Sequence, residues 1–242
     1  MPSPQRERAI AKTLVRRYRL GVALADWDRI EAMLEQSDAA ARELGDHGLH
    51  LDTEVGRADL AFRRANFEEA KEKSAALLRR PDLRPDQRAM LIYVEAQAHL
   101  FAATRPPAWV AERCQAALDL AEPSWYMWGW AQSTLALCRA LEGDHDAARS
   151  AGEKARRWFS ARSDLPGLAF VHRAAAINAW RQGELDLARD QFEEALALAK
   201  KSAFRTIYRM VLESALGFYQ EAGPKTRLAE LRAELEALNK TT

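Results

Sequence analysis

The chain is short of cysteine, glycine, proline and asparagine, and each shortage excludes something. Two cysteines, Cys114 and Cys138, are too few for a disulfide framework. Both fall within helical patterns and are expected to be buried, reduced thiols. Eleven glycines and nine prolines among 242 residues leave no collagen-like or low-complexity stretch. An excess of one charge sign is missing too. Lys plus Arg is 36 and Asp plus Glu is 35, a net charge of +1, so nothing draws the whole chain to nucleic acid or a membrane surface. No apolar run approaches the roughly 18 residues of a membrane span. The start, Met1-Pro2-Ser3-Pro4-Gln5-Arg6, carries no apolar signal core, and a cytoplasmic location is expected. There is no glycine-rich phosphate loop, nucleophile elbow or pair of zinc-binding histidines around a glutamate. The expectation is a protein without catalytic activity, cofactor or metal.

What the chain has in plenty is Ala, Leu, Glu and Arg, a helix-former's composition with 48% hydrophobic and 29% charged residues. No stretch alternates with period two for long enough to be a strand. A hexapeptide recurs instead: Ala25-Asp26-Trp27-Asp28-Arg29-Ile30, Ala65-Asn66-Phe67-Glu68-Glu69-Ala70, Gly143-Asp144-His145-Asp146-Ala147-Ala148 and Gly183-Glu184-Leu185-Asp186-Leu187-Ala188. A small residue suits a tight interhelical turn. A polar residue can accept from the free N–H groups of the next helix, and a small or aliphatic sixth residue suits close packing. The copies start at 25, 65, 143 and 183, with a weaker one at Gly223. The interval of 78 hides one more turn near 105, where Arg105-Pro106-Pro107 stands, proline being acceptable in the first turn of a helix. The fold class predicted is all-α, an α-solenoid of six helix–turn–helix repeats and about twelve helices. One domain, 1–242, is expected, with repeats at 8–46, 47–83, 84–123, 124–163, 164–202 and 203–240.

Gly183 to Ala188, followed by Phe192 and Ala195-Leu196, resembles the tetratricopeptide repeat family in its longer, roughly 40-residue form. Kinesin light chains and the regulatory domains of large bacterial transcriptional activators are similar. The resemblance covers about residues 8 to 238. It implies a right-handed superhelix whose concave surface is lined by the first helix of each pair. On the C-terminal side the implied lining gathers Trp130, Phe170, Arg173, Ile177, Trp180, Arg181, Met210 and Glu213. Aromatic anchors beside arginines are the usual material of binding hot spots. Two of the family's recognition devices are missing. Val15, Arg19, Gly56, Ile92 and Ala96 stand where a carboxylate clamp needs lysine and asparagine. The three asparagines, Asn66, Asn178 and Asn239, fall off the lining positions.

Two other segments are candidate interfaces. Ser124-Trp125-Tyr126-Met127-Trp128-Gly129-Trp130 has four aromatics that cannot share one helix face, so Trp125, Tyr126 and Trp128 are expected at an edge or exposed. The last helix, near Lys225 to Asn239, aligns Leu228, Leu231, Leu235 and Leu238, which suits a terminal cap or a homodimer seam. The first helix is basic, with Arg6, Arg8, Lys12, Arg16, Arg17 and Arg19 spread around it as on a solvated face. His47 and His50 lack a third ligand, and His99 has only Glu95 nearby, so neither metal binding nor acid–base chemistry is expected. The functional expectation is a module that binds a peptide or protein segment. The alternatives are a regulatory module for a small effector that acts through another polypeptide, and a self-assembling structural protein.

Overall fold

The computed structural model describes residues 27–202 and 204–240. The described residues form α1 (Trp27–Glu43), α2 (His47–Arg63), α3 (Phe67–Leu78), α4 (Pro85–Phe101), α5 (Pro107–Leu120), α6 (Trp128–Glu142), α7 (His145–Ser160), α8 (Leu165–Arg181), α9 (Leu185–Ser202), α10 (Arg205–Ala222) and α11 (Lys225–Lys240). The first expected turn, at Ala25 and Asp26, and the basic first helix lie outside the described residues. The chain separates into two compact units, one ending at Trp125 and the other starting at Tyr126.

The turns follow from local chemistry. Gly143 closes α6 and Gly183 follows α8 at φ +83° and +77°, the left-handed region that glycine enters without strain. Asp144 then caps α7, its carboxylate accepting from the Ala147 N–H at 3.2 Å. Ala65 takes the same left-handed turn at φ +61° without being glycine, which costs about 1 kcal/mol. Asn66 departs from the expected cap. Its side chain makes no cap bond and instead donates to Glu69 at 3.4 Å. The disguised turn lies where the prolines placed it, with α5 starting at Pro107.

Packing completes the pattern. Ile30, Ala70, Ala148 and Ala188, the sixth residues of the four hexapeptides, are all buried. In each unit a helix packs on its neighbour in sequence, and first helices also pack side by side: α2 on α4, α6 on α8, α8 on α10. This is all-α stacking of helix pairs, the solenoid class read from the spacing. The core of the second unit is aromatic. Phe159, Phe192 and Phe218 are fully buried, each worth about 2–3 kcal/mol of hydrophobic stabilisation. Phe159 occupies room left by Gly167, and Trp158 room left by Gly129; a β-carbon at either glycine would run into the ring.

Candidate functional site

Helices α6, α8 and α10 form one layer of the second unit, and this layer holds the expected lining residues. Trp130 on α6 meets the Phe170 ring at 5.7 Å. The Arg173 guanidinium lies over the same ring at 5.3 Å. Its Nε donates to Ser214 Oγ on α10 at 2.7 Å. Its Nη1 is buried and has no hydrogen-bond partner. Burial pushes the guanidinium down to about 10, and the neighbouring Glu213 carboxylate offsets only part of that. The fold thus leaves one donor of this cation unsatisfied. About two turns along α8, Trp180 packs edge-on against Phe218 at 5.8 Å and lies over Gly217.

The lining residues do not share one role. Phe170 and Ile177 are buried core residues. Trp130, Arg173, Trp180 and Met210 are half-buried, and Glu213 and Arg181 are exposed. The structure therefore corrects the expectation of an open apolar surface: Phe170 and Ile177 form its floor, and Trp130, Arg173 and Trp180 stand at its edge. Ser214 was missed. It lies 41 residues after Arg173, one repeat and one residue further on, which is the only trace it leaves in the sequence.

The interface candidates divide as well. Trp125 is buried with its ring edge-on to Tyr93 at 6.3 Å, so it belongs to the core of the first unit rather than to an exposed patch. Tyr126 and Trp128 are half-buried. On α11 Leu231 is fully buried, while Leu228 and Leu235 are half-buried. Leu231 is buried within the second unit, as the cap reading of this helix expects and a dimer seam centred on it does not. Arg227 ties the helix down by donating to Glu193 at 2.8 and 2.9 Å, and Tyr219 donates to the same carboxylate at 2.6 Å.

The charged positions of the first unit are tied to one another. Arg84 and Gln87 donate to Asp52, at 2.6 and 2.8 Å. Arg113 pairs with Glu95, and His99 faces Thr104 instead, at 2.7 Å. His47 contacts Asp82 and His50 contacts Asp38, so the two histidines do not converge. Asp38, His50 and Glu54 could together offer three ligand atoms to a metal. Arg42 and Arg57 already occupy Asp38, and Arg57 also pairs with Glu54, so the carboxylates are neutralised without one. Both cysteines are buried and neither is in a disulfide, and burial pushes the Cys138 thiol up to about 12. Among the described residues no helix is long and apolar enough to cross a membrane.

Stacked helix pairs with an aromatic and arginine-bearing layer define a helical-repeat protein. A tetratricopeptide repeat family model matches residues 129–201, which span α6 to α9. That stretch of the second unit carries tetratricopeptide repeats. Two crystal structures share the fold at low identity. BtubC (BKLC) from P. vanneervenii is 16% identical, with a TM-score of 0.55 over 100% of this chain and 92% of that one. PilW, a type IV pilus biogenesis factor, is 16% identical, with a TM-score of 0.57 over 94% of this chain and 93% of that one. No curated protein matches the sequence.

Proposed function

We propose that the chain is a protein-interaction module whose second unit binds a peptide segment along α6, α8 and α10. The observation that carries this reading is the buried Arg173 guanidinium with an unpartnered Nη1, set beside Trp130 and Phe170. A folded chain keeps a desolvated cation only against a cost in stability, and an incoming carboxylate recovers that cost. The fitting partner is a segment with an acidic side chain or a terminal carboxylate next to an aliphatic or aromatic residue. The acid meets Arg173, and the apolar residue covers Trp130 or Trp180. Binding rather than catalysis is the role, because no nucleophile or acid–base pair converges on this face. The fold supports the same reading, since helical repeats present extended surfaces to partners.

The test is selection from a random peptide library on the immobilised full chain. Enrichment of acidic residues next to apolar ones, lost in the Trp180→Ala, Arg173→Ala double variant with helicity retained, supports the reading. Equal enrichment on both proteins rejects this face as the site.

A further inference from the structure

The same chain holds two versions of one structural position, one in each unit. In the first unit it is a cleft between α1, α2 and α3, lined by Glu31, Leu34, Arg57, Leu60, Arg64 and Glu69 among others. In the second unit it is a cavity of about 360 Å³ over α8 between α7 and α9. The two linings correspond residue for residue at a constant offset: Arg149 stands for Glu31, Gly152 for Leu34, Ala175 for Arg57, Asn178 for Leu60, Gln182 for Arg64 and Leu187 for Glu69.

The substitutions have a consistent direction. In the first unit Leu34 is buried and fills the cleft so closely that a β-carbon on Gly56 would meet its Cδ2 at 2.9 Å. Arg64 then closes the rim by pairing with Glu31 at 2.7 Å. In the second unit glycine replaces that leucine, and a β-carbon on Gly152 would find only Ala136, at 3.8 Å. Ala175 replaces Arg57 of the first lining, and Leu187 sits at the rim 47% exposed. Filling groups have been removed and an apolar side chain left open to solvent, at a volume within the usual range for small-molecule sites.

The charged groups that line the cavity are Arg149 and Arg156 on α7, against Glu153 on the same helix and Glu184 on the far rim. Arg156 and Arg157 both donate to Glu153, and Arg149 pairs with Asp146 and Gln182. These are exposed pairs, which an anion can replace at little cost. His172, donor or acceptor with Gln191 at 2.9 Å, adds a polar group to the floor, and Glu184 marks the opposite rim.

We propose that the cavity between α7, α8 and α9 is a binding site for a small apolar anion, its aliphatic or aromatic body over Gly152 and Ala175 and its carboxylate or sulfonate against Arg149 and Arg156. The site is separate from the peptide face and does not depend on it.

The probe is 1-anilinonaphthalene-8-sulfonate, titrated into the full chain and followed by fluorescence. Saturable enhancement is expected for the native protein. Gly152→Leu, which restores the residue of the first unit, weakens the dye at least tenfold while circular dichroism stays native. Ala175→Leu blocks the cavity from α8 at an exposed position and gives the same loss, so the test stands if either variant folds. The proposal is overturned by an absence of saturable enhancement in the native protein, or by native-like affinity in a folded Gly152→Leu or Ala175→Leu variant.

Discussion

Arg173 Nε donates to Ser214 Oγ across 2.7 Å, joining α8 to α10 through a guanidinium that has no carboxylate on it. Ser214 is itself held, donating to the Met210 carbonyl at 3.0 Å. The hydroxyl thus fixes the orientation of a buried cation. Ser214→Ala leaves a second guanidinium donor without a partner and is expected to destabilise the protein by about 1–3 kcal/mol. Urea unfolding followed by circular dichroism reads this directly. A change near zero would mean that Arg173 turns to another acceptor.

Glycine in a helix has a different meaning at two places in the second unit. A β-carbon on Gly167 would overlap the Phe159 ring, which is fully buried and cannot yield. A β-carbon on Gly152 meets only Ala136 at ordinary contact distance. Gly167→Ala is therefore expected to destabilise by about 1–3 kcal/mol through overpacking. Gly152→Ala is expected to stabilise by about 0.5–1 kcal/mol through helix propensity. Thermal unfolding of both variants checks the opposite signs.

The first unit carries a pH dependence at Asp38. Burial works to raise this carboxyl, but hydrogen bonds from His50 and Arg57 and the charges of Arg57 and Arg42 outweigh it, and the net shift is below the ordinary value of 3.8. A folded-state value below the unfolded one gives stability that is present above pH 3.8 and is lost as the pH falls further. Asp38→Asn is expected to cost about 3 kcal/mol at neutral pH, because Arg57 loses a nearly buried partner. The gap between native and variant stability should narrow below pH 3.8. A gap that stays constant across that range would remove Asp38 from the acid response.

Much of the fold was legible because its signals are local. A left-handed turn at Gly143 or Gly183 and a carboxylate cap at Asp144 are decided within a few residues, so they recur in the sequence wherever they recur in space. The site was legible only in part. Helical periodicity shows which face of α8 is apolar, but it does not distinguish a residue packed against the next helix from one facing a partner. Phe170 and Ile177 are buried, whereas Trp180 packs on Phe218 of α10 and stays partly exposed. The pattern of α11 suits a cap or a seam equally, and four aromatics near Trp125 place some of them at an edge without saying which; Leu231 and Trp125 are each taken up by packing inside their own unit. The cavity beside Gly152 was invisible to motif reading, because its signal is a missing side chain. Only comparison with Leu34 at the matching position makes that absence meaningful.

The central claim is that Arg173 is kept for a partner and not for the fold. Replacing it with Met removes the charge and keeps most of the volume. Stability of Arg173→Met in urea should equal or exceed that of the native protein, since a well-packed apolar side chain replaces an uncompensated buried cation. Affinity for an acidic peptide selected on the native chain should fall at least tenfold. A loss of several kcal/mol in stability together with unchanged peptide affinity would contradict the account.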